Sequence, residues 1–171
     1  MESLQRHGLV WVVFNHTQRQ KMNKFFSDVE TFMTIAGQLD NKHKFDARQV
    51  ALYIGLQLEE MAEKLEACGF AFSSPVVRML NDTSSSFKHG MFDKMVAHAN
   101  KEGILDADID LAWVTIGSAL SQGADVQGAA EEVSRANLAK FPEGVAIRDN
   151  NGKVVKPAGW TGPDLKQFLA D

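Results

Sequence analysis

Apolar residues recur at three-to-four spacing in four stretches of the chain, which is typical of amphipathic helices. These stretches cover residues 22–38, 46–68, 104–122 and 126–140. Asp46 and Gln49 have the spacing of a capping box at the start of the second stretch. The pattern therefore predicts four long helices.

The other segments contain residues that interrupt helices. Pro75 and the serines at 84–86 predict that helices within residues 71–90 are broken or short. A small β-hairpin is expected over 145–155, because Asn151-Gly152 supplies the positive φ angles of a tight turn. The predicted parts are an N-terminal extension (1–21), a helical domain (22–141) and a hairpin and tail packing on it (142–171). The extension is either an added strand or an over-long start, with Met22 as the alternative first residue.

Composition narrows the classes of function. The 171 residues are 44% hydrophobic and 23% charged, as expected for one soluble globular domain. A net charge of −4 lacks the basic excess that nucleic-acid binding requires. The single cysteine, Cys68, excludes an internal disulfide and favours a cytoplasmic location. The apolar run at residues 8–14 is far shorter than the roughly 18 residues of a membrane span, so no membrane association is expected.

The second predicted helix turns from apolar to acidic along one side. Leu52 and Leu56 form a stripe that continues into Glu59 and Glu63, with Glu60 at its flank. Like charges one helical turn apart repel by a few tenths of a kcal/mol per pair, so something should offset the repulsion. A solvated acidic surface is the plainer interpretation, but it gives no reason for leucines earlier on the same stripe.

The third predicted helix carries two more acids, Asp106 and Asp110, at the edge of a broad apolar arc. Carboxylates on two helices provide only oxygen ligands. Such ligands suit Mg²⁺, or Mn²⁺ as the alternative, and do not suit a metal that prefers thiolates.

Three motifs resemble the MazG-like, all-α nucleoside triphosphate pyrophosphohydrolases, relatives of phosphoribosyl-ATP pyrophosphohydrolase and the dimeric dUTPases. They are E-E-M-A-E at 59–63, D-L-A-W-V at 110–114 followed by Gly117, and E-V-S-R-A-N-L-A-K-F at 132–141. The resemblance implies an all-α, MazG-like bundle of four or more helices with a short C-terminal β-hairpin appendage. It also implies Mg²⁺-dependent hydrolysis of a nucleoside triphosphate between the α and β phosphates, giving a nucleoside monophosphate and pyrophosphate in nucleotide-pool cleaning.

The resemblance also implies site residues. The catalytic residues would be Glu59, Glu60 and Glu63; the metal ligands Glu60, Glu63, Asp106 and Asp110; and the substrate-binding residues Asn137, Lys140, Lys153 and Lys156. The family's second acidic motif is E-x-x-D, yet Gly103 and Ala107 precede the two aspartates at that spacing. Either Glu102 substitutes, or Asp106 and Asp110 serve together, which is the interpretation favoured here.

The apolar surface of the predicted helices exceeds what one layer of neighbours covers, and with the resemblance this predicts a homodimer or homotetramer. The alternative to the enzyme is a catalytically silent member of the same fold that binds a nucleotide or a partner protein. A third possibility is a plain helical oligomerisation module.

Overall fold

The computed structural model of the chain describes residues 16–39, 44–149 and 154–169. Its six α-helices are α1 (His16–Ile35), α2 (Ala47–Ala67), α3 (Pro75–Lys88), α4 (Asp93–Ala97), α5 (Lys101–Leu120) and α6 (Val126–Leu138). Two short 3-10 turns follow, at Pro142–Gly144 and Lys166–Phe168. No strand is present in the described ranges, and the all-α prediction is confirmed.

The chain divides into two compact units. One comprises Gln38–Thr115 and holds α2, α3, α4 and most of α5. The other comprises Met1–Gly37 with Ile116–Asp171, and holds α1, α6 and the tail. Throughout the described ranges, no helix combines the length and the apolar character that crossing a bilayer demands.

The first two helices differ in how well their starts were predicted. Helix α1 begins at His16, before the predicted residue 22. The Asp46 side chain caps α2 as predicted, accepting a hydrogen bond from the Gln49 N–H at 3.1 Å. In the described part of the chain Gln49 Oε1 is buried without a hydrogen-bond partner, so only half of the capping box forms.

The prediction of broken or short helices over residues 71–90 was wrong, because α3 is continuous over the 14 residues from Pro75 to Lys88. Pro75 stands in the first turn, where no intrahelical N–H is needed. Ser84 is 1% exposed, and its small side chain suits a close helix–helix contact. Packing against α2 therefore outweighs the weak helix propensity of the serines.

Small residues on α2 set the close approach of α3. Ala51, Gly55 and Ala62 are buried. A Cβ atom added at Gly55 would lie 2.9 Å from the backbone oxygen of Ser84 and 3.2 Å from the Cβ of Phe87. The two backbones therefore meet at a place that has no room for a side chain on α2.

Arg48 joins the start of α2 to the end of α3. Its guanidinium donates hydrogen bonds to the carbonyl oxygens of Phe87, at 3.1 Å, and Lys88. These carbonyls belong to the last turn of α3, where a cation meets both unsatisfied acceptors and the negative end of the helix dipole.

In the other unit, α1 packs beside the end of α6. The rings of Phe32 and Phe141 lie 4.8 Å apart between centroids, and Phe141 is buried. The Arg148 guanidinium donates to the carbonyl oxygen of Ala36, at the end of α1. Asp125 caps α6 by accepting the Gly128 N–H at 3.0 Å.

Helix α5 has no buried residue, although its apolar arc was expected to face a core. Trp113 is 79% exposed, and Leu105 and Ile109 are each more than 60% exposed. A helix that is apolar over most of its surface is ordinarily covered by other protein. In the described ranges these three side chains of α5 remain mostly exposed.

Replacing Gly55 with Ala should lower the free energy of unfolding by about 1–3 kcal/mol, because the new methyl group pushes α3 away from α2. Asp82→Ala, at an exposed position of α3, is the control, because it raises helix propensity without adding volume at the contact. The control should raise stability by up to about 1 kcal/mol through helix propensity. Urea denaturation measures both, and a Gly55→Ala protein as stable as the wild type would contradict the close contact.

Candidate functional site

The acidic end of α2 has a cation beside it. Glu59 Oε1 accepts a hydrogen bond from Lys88 Nζ of α3 at 2.8 Å. Glu60 and Glu63 are exposed on the same helix, one turn apart. Lys88 therefore supplies part of the compensation that the three neighbouring carboxylates require. The sequence gives no local sign of this pair, because its members lie on different helices.

The two predicted metal ligands of α5 lie on a different side of the helix from a third acid, Asp108, which approaches α2. Asp108 Oδ1 accepts a hydrogen bond from Gln57 Nε2 at 3.0 Å. Asp106 and Asp110 each lie about 200° around the helix axis from Asp108, at about 100° per residue. Both are exposed.

No group of three His, Cys, Asp or Glu side chains in the described ranges is arranged to hold a metal ion. Magnesium usually retains several waters and binds through one or two carboxylates together with substrate phosphates. Glu60 and Glu63 are neighbours at i, i+3 and offer oxygen donors of this kind. The donor chemistry of this pair therefore fits Mg²⁺ carried on a phosphate substrate.

The predicted substrate-binding residues meet at the end of α6. Asn137 Oδ1 accepts a hydrogen bond from Lys140 Nζ at 2.8 Å. The same Nζ atom lies 5.7 Å from the ring centroids of both Phe32 and Trp160. The Lys140 ammonium group is thus held between an amide oxygen and two aromatic rings.

The tail brings a second lysine to the same indole. Lys156 Nζ lies 4.4 Å from the Trp160 ring centroid, and the Trp160 Nε1–H donates to the carbonyl oxygen of Ala136 at 2.7 Å. Asn137, Lys140 and Lys156 are therefore collected at one place. The fourth predicted residue, Lys153, lies outside the described residues.

The tail runs antiparallel along α6 in steps of four residues. A Cβ added at Gly128 would meet the Phe168 ring at 2.6 Å. The Asp164 N–H donates to Glu132 Oε1 at 3.1 Å, which lies one step beyond. The next step is the hydrogen bond from Trp160 to Ala136. The last step is the pair Lys156 and Lys140, whose ammonium groups both lie near the Trp160 ring. Residues four apart share a helix face, so the tail forms a strap along one stripe of α6.

Glu132 has a carboxylate that is bound by both α6 and the tail. Its two oxygens accept hydrogen bonds from Arg135 Nε at 2.7 Å and Nη2 at 2.6 Å. The Arg135 hydrogen bonds, followed by the bond from the Asp164 N–H, lower the pKa of Glu132 from 4.5 to about 2. The carboxylate therefore keeps its charge and its hold on the tail at any moderate pH.

The sequence interpretation missed two parts of this site. Trp160 joins two of the predicted lysines, and no sequence motif marked it. The bond of the Arg148 guanidinium to the end of α1 joins residues 112 positions apart, so periodicity gives no signal of it. The hairpin is represented in the described residues by one antiparallel bridge, Arg148 to Val154, so it stays a prediction.

The stability that Glu132 contributes should depend on pH in a defined direction. Its folded pKa is depressed, so the stabilisation is present above about pH 4.5 and is lost as pH falls toward about 2. The difference in unfolding free energy between wild type and Glu132→Gln should shrink over that range. Arg135→Met should show the same trend, since it removes the main cause of the shift. A pH-independent difference for Glu132→Gln would contradict the account.

Three comparisons, with protein-family models, with curated proteins and with solved structures, found no match to this chain. The likeness to the MazG-like enzymes therefore stands on the motifs quoted above.

Proposed function

We propose that this protein is a Mg²⁺-dependent nucleoside triphosphate pyrophosphohydrolase that cleaves the bond between the α and β phosphates. The observation that carries the proposal is the collection of Asn137, Lys140 and Lys156 around Trp160. An acidic chain of net charge −4 that gathers two ammonium groups at one aromatic ring favours binding of an anion there. A triphosphate is the anion that the resemblance implies.

Each group of residues has a role in this proposal. The ammonium groups and the Asn137 amide bind phosphate oxygens through charge-assisted hydrogen bonds. Glu60 and Glu63 would hold Mg²⁺, with Asp106 and Asp110 as further ligands. When bound, Mg²⁺ neutralises triphosphate charge and lowers the pKa of a coordinated water.

Glu59 has a distinct place among the acids. Its carboxylate is partly buried and held by Lys88 at 2.8 Å, whereas Glu60 and Glu63 are exposed. A carboxylate fixed in one orientation suits a general base that takes a proton from water. Glu59 is therefore proposed as the base, with ligation of the metal as its alternative role.

A catalytically silent binding protein is the second candidate. It is favoured by the second acidic motif, because Gly103 and Ala107 stand where the family's E-x-x-D has its glutamate. In that case the lysines around Trp160 bind a nucleotide or an acidic segment of a partner without hydrolysis.

Self-association accompanies the proposed enzyme. Residues 111–120 of α5 carry no charge, and Trp113, Val114 and Leu120 are all more than half exposed. We propose that a second copy of the chain covers this face, in a homodimer or homotetramer. Burial of apolar area supplies the driving force, at about 25 cal/mol per Å².

Glu63→Gln should abolish Mg²⁺-dependent release of pyrophosphate from a panel of nucleoside triphosphates. The substitution keeps the shape of the side chain and removes one of two adjacent ligand charges. Its fold should be intact or slightly more stable, because like-charge repulsion is relieved. Glu66→Gln, three residues further along α2, is the control and should retain wild-type turnover. Full activity in Glu63→Gln would rule out the ligand assignment.

Sedimentation equilibrium at micromolar concentration should give at least twice the 18.9 kDa mass of one chain. Ile109→Lys combined with Trp113→Lys should reduce the mass to that of a monomer, because a buried charge replaces apolar contact. Ala107→Lys, on the side of α5 away from Ile109, is the control and should leave the assembly intact. A wild-type protein of 18.9 kDa would refute self-association.

A further inference from the structure

Trp160 occupies an unusual position in the strap. Its indole N–H is used by the Ala136 carbonyl, while its ring lies beside the ammonium groups of Lys140 and Lys156. The side chain thus joins three parts of the site: the last turns of α6, the lysine that follows α6 and the lysine of the tail.

We infer that Trp160 is a positioning residue that gathers Lys140 and Lys156 into one polyphosphate-binding patch. This inference deepens the proposed function and rests on it for the identity of the substrate. It assigns to Trp160 a role in affinity for the phosphate chain and no part in bond cleavage.

The electrostatics of the patch require such a residue. Two ammonium groups near one ring repel each other. When no anion is bound, an attractive interaction must offset this repulsion. The negative face of an indole attracts cations more strongly than other aromatic rings do. In the described ranges no carboxylate forms an ion pair with Lys156, and the Trp160 ring centroid lies 4.4 Å from its Nζ atom.

The ring can also release the lysines. A charge-assisted hydrogen bond to phosphate is stronger than the attraction between an ammonium group and an indole at an exposed site. An arriving polyphosphate would therefore draw the Lys156 ammonium toward itself. Trp160 remains fixed while this happens, because its N–H stays bonded to Ala136 and the neighbouring step of the strap is held by Glu132. The patch is thus assembled before the anion binds, which reduces the entropic cost of binding.

The first test uses the fluorescence of Trp160 alone. In a Trp11→Phe, Trp113→Phe protein, Trp160 is the remaining tryptophan. Inorganic tripolyphosphate added without metal should change its emission along a saturating curve. Lys156→Met should remove most of the change and weaken binding by about tenfold, the loss expected for one charged hydrogen bond. Lys166→Met, a lysine of the same tail, should respond as the parent does. Calorimetric binding of tripolyphosphate that leaves Trp160 emission unchanged would overturn the inference.

The second test varies Trp160 itself in the full chain. Trp160→Leu should weaken tripolyphosphate binding by about tenfold, and Trp160→Phe, which keeps a ring, by less. With a nucleoside triphosphate, Trp160→Leu should raise KM much more than it lowers kcat, because it removes uniform binding. Circular dichroism and thermal unfolding check that each variant is folded.

The outcomes separate this inference from the proposed function. Binding that depends on Trp160 in a protein that hydrolyses no nucleotide would support the inference and refute the enzyme. Hydrolysis or binding that is lost in Lys140→Met and Lys156→Met but unchanged in Trp160→Leu would refute the positioning role alone. A wild-type protein that hydrolyses a nucleoside triphosphate but fails to bind tripolyphosphate would refute the inference alone.

Discussion

The hydrogen bond from the Trp160 indole to the Ala136 carbonyl is the interaction on which the candidate site depends. This bond fixes the indole ring that lies near both Lys140 and Lys156. Neighbouring steps of the strap support it: Glu132 holds the backbone of Asp164, and the absence of a side chain at Gly128 makes room for a ring. Specific contacts with successive turns of α6 hold the strap in place of regular secondary structure.

A second constraint acts in the unit that holds the acids. Gly55 lets α3 approach α2 so closely that Lys88 reaches Glu59 one turn further along. Packing and charge are therefore coupled: the glycine determines the distance between the helices, and that distance allows the ion pair. Glu59 is thereby distinguished from Glu60 and Glu63, although the three look equivalent in the sequence.

The sequence predicted best what depends on neighbouring residues. The cap at Asp46 and the three-to-four periodicity of α2 are local, and the structure agrees with them. Prediction from the sequence failed where contacts between residues far apart in the chain determine the structure. The serines of α3 suit a helix only because α2 presents Gly55 to them. The strap joins residues 24 and 32 positions apart, for which periodicity gives no signal. For α5 the periodicity identified the apolar arc, but it could not tell whether the cover comes from the same chain.

The central proposal for this protein is the cleavage of a nucleoside triphosphate between its α and β phosphates. Identification of the products by ³¹P NMR, with wild-type protein, Mg²⁺ and a panel of nucleoside triphosphates, tests it most directly. The account predicts nucleoside monophosphate and pyrophosphate in equal amounts from at least one substrate. Release of nucleoside diphosphate and phosphate, or no turnover with any member of the panel, would contradict it.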